Sequence, residues 1–348
     1  MQAGSGFDLI LCGHINLLPL AVLARSISGG RFQPSSLLRR PQPRPPIVLV
    51  VHGVEAWRPC GRRWSDFLLG QVDAVVAVSE LTRDRFLGWS LLDNKPSFVL
   101  PNCVDLDVFS PGPRKADLVR RYQLGRPVLM TMGRLSAAER YKGVDELLEL
   151  MPALTAQLPG LTYLIAGDGD DRARLAAKAR SLKLAVSEPP VFARKPASVV
   201  FTGYVSEQEK ADHYRLADTF VMAGRGEGFG IVYLEALACG VPVVASKADA
   251  SREVLESCAS AFLADPNNPD DVWNCIGAAL TAQHQASQEW IRSFSRANFT
   301  TQALELFDCL RAFSLGASVV NHPIEQRGVF GIQANPRRER RGLRAAGI

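Results

Sequence analysis

Short runs of Val, Ile and Leu with almost no polar interruption alternate along this chain with segments whose apolar residues recur at helical spacing. FDLILC (7–12), PIVLVVHG (46–53), DAVVAVS (73–79) and SFVLPN (97–102) predict buried strands. LLPLAVLARSI predicts a helix between the first two, followed by the Pro- and Arg-rich connector RFQPSSLLRRPQPRPP. SELTRDRFL predicts another helix, with Ser79 as its N-cap. VDLDVFSPGPRKAD then has the turn chemistry of a boundary. Past it the alternation restarts with strands at PVLMTMG (127–133), LTYLIA, VVFTGYV (199–205), TFVMAG and PVVAS (242–246). Helices are expected over 144–157, 172–183, 206–217 and 231–239, the last ended by Gly240 with Pro242 just beyond. Strands that are apolar throughout belong in parallel sheets covered on both faces. The pattern therefore predicts an α/β protein with two doubly wound halves joined near residue 112. Segment 184–198, LAVSEPPVFARKPAS, reads as a long loop to which no function attaches.

Composition narrows this picture. A length of 348 residues favours two domains over one. Six arginines against Glu325 and Glu339 give segment 316–348 a charge of +4 out of the net +5, so the basic character sits in a tail. Such tails are usually solvated; peripheral contact with an anionic membrane is the specific role left open, and nucleic acid is not expected. Seven scattered cysteines show neither a C-x-x-C pair nor zinc spacing, which suits a reducing cytosol. No apolar run reaches the roughly 18 residues of a spanning helix, and the N-terminus lacks a basic region ahead of its apolar residues. That N-terminus enters a strand almost at once, as a chain starting in mid-fold would.

Ligands in parallel α/β sheets sit beyond the carboxyl ends of the strands. At those positions stand Arg134 and Lys142, the acidic turn GDGDD (167–171), Gly203 with Tyr204 and Val205, the loop GRGEGFG, and His52 with Gly53. Glu227 lies in the glycine-rich loop, and Glu235 sits alone in the apolar stretch IVYLEALACGVPVVA. A buried carboxylate is costly unless something polar meets it, and the loop before its helix offers backbone N–H groups to an anion. Each feature also has a plain reading: surface charges for Arg134 and Lys142, a loop histidine for His52, a turn before a helix for GDGDD. The acidic turn lacks partner ligands nearby, so no metal is expected.

GRLSAAERYKG, AGDGDD, FTGYVSEQEKADHYRLAD and EGFGIVYLEALACGVPVVAS, in this order and spacing, resemble the nucleotide-sugar-binding domain of retaining GT-B glycosyltransferases (glycosyl transferases group 1). GFDLILCGH, VVHGVEAW, VDAVVAVSELTRDR and VLPNCVDLDVF are similar to the later part of that family's N-terminal domain. The resemblance covers about residues 6 to 314 and implies two Rossmann-like domains facing a cleft, the first incomplete. It divides the chain into 1–111 (acceptor side), 112–296 (donor side), a terminal helix over 297–315 packing back on the first domain, and the tail 316–348.

The family implies a transferase moving a sugar from a UDP- or GDP-sugar to a saccharide or lipid-linked acceptor, with retention of configuration. It needs no metal or other cofactor and works in the cytoplasm or at the inner face of the membrane. Arg134 and Lys142 would clamp the diphosphate, assisted by the amides of Phe229, Gly230 and Ile231. Glu227 would hold the transferred sugar, Glu235 the ribose, and backbone groups near Gly203 and Val205 the base. His52 would reach the sugar from the other domain, which makes Glu227, His52, Arg134 and Lys142 the expected catalytic set. The chain departs from the family in having Ala223-Gly224 where Pro-Ser is usual, a longer Arg134–Lys142 spacing, and no glycine-rich loop near its start. That last difference predicts an N-terminal truncation with an exposed sheet edge, and the alternative of a sugar-nucleotide-binding protein impaired in catalysis. A nicotinamide enzyme is disfavoured, since no G-x-G-x-x-G follows the first strand of either half.

Overall fold

The computed structural model of the chain describes residues 8–28, 44–59, 67–190, 192, 195–282 and 288–314. Two parallel sheets organise it. The first runs in the order β1 (Ile10–Cys12), β2 (Ile47–Val51), β3 (Ala74–Ala77), β4 (Ser97–Val99). The second holds β5 (Val128–Met132), β6 (Thr162–Ala166), β7 (Val186–Ser187), β8 (Val199–Phe201), β9 (Thr219–Val221), β10 (Val243–Ser246) and β11 (Ala261–Ala264). Its spatial order is β11-β10-β9-β5-β6-β8-β7, and every pairing in both sheets is parallel.

The continuous apolar strands are explained by cover on both faces. Val128, Met130 and Met132 of β5 pack with Tyr214, Tyr233 and Leu234 on one side. Leu129 points the other way, into Leu147, Leu148 and Met151 of the helix Val144–Gln157. In the first sheet, Leu49 and Val51 meet Leu18 and Phe86, while Val48, Ala74, Val76 and Phe98 meet Leu306, Cys309 and Leu310. The last three belong to the helix Arg296–Ser314, so the chain returns from the second sheet to cover the first.

Strand order reverses at β5, whose neighbours β6 and β9 lead away in opposite directions. The crevice at such a switch point lies between the loops that follow β5 and β9. Those loops are GRLSAAERYKG and GRGEGFG.

Three expectations need correction. The helix expected over 206–217 is a 3-10 turn, Glu207–Glu209, followed by one short helix, Lys210–Tyr214. The helix expected over 172–183 ends at Ser181, and Lys183 takes a left-handed φ of 60°. Segment 184–198 contains the edge strand β7, paired to β8 through Val186 and Ser187. The connector up to residue 43 and the basic tail 316–348 lie outside the described residues.

One polar cluster joins the helices flanking β6. Asp145, in the first turn of the helix Val144–Gln157, accepts from Arg174 Nη1 at 2.8 Å, Arg174 Nη2 at 2.6 Å and Lys178 Nζ at 2.8 Å. The Arg174 bonds, ahead of Lys178, hold its carboxyl at about 2 against an ordinary 3.8, despite the opposing effect of burial. A carboxyl with a depressed folded value stabilises the protein above its unfolded pKa, and that contribution disappears as pH falls through the folded one. The shift corresponds to about 2 kcal/mol at most, and screening at these partly exposed groups lowers it to roughly 1 kcal/mol. Urea unfolding of Asp145→Asn is therefore expected to show a loss of about 1 kcal/mol at pH 7. The gap to the parent closes between about pH 4 and pH 2; a gap independent of pH contradicts this account.

Candidate active site in the crevice between the sheets

The loop after β5 is held by the acidic turn after β6. Leu135 N donates to Asp168 O at 2.9 Å, and Asp171 N donates to Leu135 O at 2.9 Å. A Cβ on Gly167 would stand 1.9 Å from Gly133 O, so only glycine lets the two loops approach this closely. The acids of the turn serve arginines: Asp168 takes Arg172 at 2.9 Å, and Asp171 takes Arg174 at 2.7 Å and Arg140 at 3.2 Å. Ion pairing thus accounts for two of the three acids of GDGDD, and the third, Asp170, accepts from Ala137 N at 3.0 Å.

Arg134 and Lys142 line one cavity together with Glu139, and Glu139 bridges them. Its Oε2 lies 2.7 Å from Lys142 Nζ, and its Oε1 accepts from Arg134 Nη2. Sequence reading missed Glu139, whose only signal was a carboxylate set between two cations in RLSAAERYK. Arg134 is exposed, while Lys142 is largely buried. Burial pushes the Lys142 ammonium down, and the nearby Glu227 carboxylate acts against that.

The loop after β9 is fixed by Asp249, a second residue the sequence did not reveal. Asp249 is buried and accepts from Glu227 N at 3.0 Å, Ser251 N at 3.1 Å and Ser251 Oγ at 2.5 Å. Ala250 N returns a bond to Glu227 O at 3.1 Å. The Glu227 side chain stands near enough to Lys142 for the two charges to act on each other. Burial raises its carboxyl pKa and the Asp249 charge adds to that, against Lys142 and the amides of Phe229 and Gly228. The expected anion-binding amide of Phe229 therefore meets the Glu227 carboxylate. Gly230 caps the helix Ile231–Ala238 with φ at 94°, and Ile231 is exposed at its first position. Tyr141 packs on Gly226 and its carbonyl oxygen accepts from Arg225 N at 2.8 Å, so the loops after β5 and β9 touch.

Glu235 differs from expectation. It is 6% exposed and finds its partners within the protein: Tyr214 Oη donates at 2.7 Å, and Lys210 Nζ lies 3.6 Å away. Burial raises its carboxyl pKa, and Tyr214 and Lys210 oppose that. No bound ribose is needed to explain its burial. Gly203 and Val205 follow β8, where Gly203 O accepts from Gly167 N at 3.1 Å. Pro189, from the segment without an assigned function, packs on Gly203.

His52 follows β2 in the first sheet, and its Nε2 lies 2.8 Å from Gly13 O. Its backbone reaches the second half: a Cβ on Gly228 would stand 2.2 Å from His52 O. The fold thus brings the His52 backbone beside the Glu227 loop, while its ring nitrogen meets Gly13 O. Among the described residues, no group of three or more His, Cys, Asp or Glu is arranged to hold a metal. No described helix is long and apolar enough to cross a membrane.

Residues 126–282 match the family described as Glycosyl transferases group 1, and residues 6–108 match Glycosyltransferase Family 4. The GDP-mannose-dependent alpha-(1-6)-phosphatidylinositol monomannoside mannosyltransferase of Mycobacterium tuberculosis (strain CDC 1551 / Oshkosh) is 33% identical over 284 residues, covering 76% of this chain and 69% of the relative. Its namesake from Mycolicibacterium smegmatis is 33% identical over 253 residues, covering 69% of this chain and 62% of the relative. The chain thus spans between 62% and 69% of the length of these relatives.

Among solved structures, Anabaena HepE in complex with UDP and glucose superposes with a TM-score of 0.66 at 21% identity, covering 87% of this chain and 78% of that one. Sucrose-phosphate synthase from Thermosynechococcus elongatus gives 0.66 at 20% identity, covering 89% and 75%. Those likenesses establish the GT-B architecture of two Rossmann-like sheets. With both halves matched, and a relative aligned at 33% identity over 69% of its own length, the chain belongs to the group 1 glycosyl transferases.

Proposed function

We propose that the protein transfers a sugar from a nucleoside-diphosphate sugar to a saccharide or lipid-linked acceptor, retaining anomeric configuration and using no metal. The observation that carries this reading is the position of Arg134 and Lys142 in one cavity on the loop after β5, at the switch point of the second sheet, with the Glu227 loop joined to that loop where Arg225 N donates to Tyr141 O at 2.8 Å. GDP-mannose is the first donor to test, because the mannosyltransferase relatives are named for their dependence on it.

The chemistry follows from charge. As the bond from the anomeric carbon to the diphosphate breaks, negative charge grows on the departing oxygen, and fixed cations stabilise it most in a site shielded from water. Arg134 and Lys142 take this role, exchanging Glu139 for the diphosphate. The acceptor oxygen bonds to the anomeric carbon on the face the diphosphate leaves, and its proton passes to the departing phosphate oxygen. Glu227 hydrogen-bonds the sugar hydroxyls and His52 contacts the sugar from the first half. The amides of Gly230 and Ile231 face the diphosphate, backbone groups at Gly203 and Val205 face the base, and Glu235 faces the ribose. In this reading 112–296 binds donor, 1–111 faces the acceptor, and the enzyme works in the cytoplasm or peripherally at the inner membrane face.

Two variants separate binding from transfer. Glu227→Ala is expected to keep its Kd for GDP within about threefold of the parent, while release of GDP from GDP-mannose falls by roughly a hundredfold or more. Arg134→Ala should weaken GDP binding itself by about 1.5–3 kcal/mol, which is about ten- to a hundredfold in Kd by calorimetric titration. Parent-like binding and turnover in both variants would remove these roles. A parent chain that binds GDP-mannose without releasing GDP would instead favour a donor-binding protein impaired in catalysis.

A further inference from the structure

The loop carrying Glu227 is gripped from both halves of the molecule. On its own side, Asp249 accepts from Glu227 N at 3.0 Å. From the first half, Ser79 Oγ donates to Gly228 O at 2.8 Å, and Thr82 Oγ1 donates to the same oxygen at 3.2 Å, both in buried positions. Trp57 Nε1 holds the Thr82 hydroxyl at 3.2 Å. Ser79 is at the same time the N-cap of the helix Glu80–Ser90, accepting from Thr82 N at 3.1 Å.

Helix N-termini leave their first amides without intrahelical partners. Here two of them are met from across the molecule: Glu253 accepts from Glu80 N at 2.8 Å and from Leu81 N at 3.0 Å. Glu253 lies in the short helix Ser251–Leu255, directly after Asp249 and Ala250. One segment, 249–253, therefore holds the Glu227 loop at one end and the first-half helix at the other. That helix in turn holds Gly228, which closes a ring of contacts around the residue next to Glu227. Gly228 has no room for a side chain, because a Cβ would stand 2.6 Å from Gly53 Cα.

We infer that Ser79 and Glu253 are positioning residues, which fix the register of the Glu227 carboxylate against the first half and so couple sugar placement to the seam between the sheets. Neither residue faces the crevice. They act through Gly228 and the helix Glu80–Ser90, and Thr82 supports them. The inference rests on Glu227 serving the transferred sugar. The two cations that would bind the diphosphate, Arg134 and Lys142, lie on the other loop, and neither touches Ser79, Thr82 or Glu253 through a hydrogen bond or ion pair described above; Gly230 and Ile231 follow Gly228 at the start of the next helix.

The test compares the parent chain with Ser79→Ala, Ser79→Thr and Glu253→Gln. Amide hydrogen exchange over residues 226–230 is expected to quicken about tenfold in Ser79→Ala and Glu253→Gln and to return to the parent rate in Ser79→Thr, which keeps the hydroxyl. In the same variants GDP should bind within twofold of the parent. The kcat for GDP release from GDP-mannose should fall at least fivefold in Ser79→Ala and Glu253→Gln and recover in Ser79→Thr. A role limited to stability would lower the folded fraction and move GDP binding and turnover together, and that result overturns the inference. Unchanged exchange over 226–230 overturns it as well. Exchange needs no ligand, so a parent chain that binds neither GDP nor UDP would count against the proposed function while leaving this test decisive.

Discussion

Lys142 and Glu227 are each partly withdrawn from water and near enough for their charges to act on one another, and the loops that carry them are held from elsewhere in the fold. An ammonium and a carboxylate each lose hydration on burial, and their mutual attraction recovers only part of it. Burial accordingly pushes the lysine down and the glutamate up, and each group opposes the shift of the other. Such a pair persists only where the surrounding structure holds it rigidly. Asp249 supplies that rigidity to the Glu227 loop, and the GDGDD turn supplies it to the loop of Arg134 and Lys142. Glu139 then completes the charge balance by bridging the two cations. In the proposed function, the diphosphate takes the place of the Glu139 carboxylate.

The location of the pair follows from topology. Parallel strands leave their carboxyl ends, and the loops beyond them, on one side of the sheet. Reversal of strand order at β5 parts two of those loops. One loop brings the cations and the other brings Glu227. The first sheet, covered on one face by the returning helix Arg296–Ser314, presents His52 and the helix Glu80–Ser90 to the same seam.

Much of this was legible in the residues. The strand runs were fully apolar, so their parallel pairing and two-sided cover could be read directly, and the helix Val144–Gln157 appears with the boundaries its periodicity indicates. The glycines around Glu227 marked a loop that must approach other backbone, and Gly228 does approach His52 and Gly53. What escaped the reading depends on contacts distant in sequence. Glu139, Asp249 and Glu253 have no local pattern to distinguish them from surface acids, and their roles arise from partners on other elements. Strand β7 is two residues long within a proline-bearing segment and forms only because β8 offers it an edge. Glu235 was correctly read as a carboxylate needing a partner, but Tyr214, 21 positions away, supplies it from a helix too short to show a clear period.

The most direct measurement is a crystal structure of the parent chain with GDP-mannose bound. The account predicts a diphosphate contacting Arg134 and Lys142, with Glu139 displaced from both cations and the Glu227 carboxylate against the hydroxyls of the sugar. A nucleotide seated elsewhere, or in this crevice with Glu139 still bridging the cations and Glu227 turned from the sugar, would contradict it.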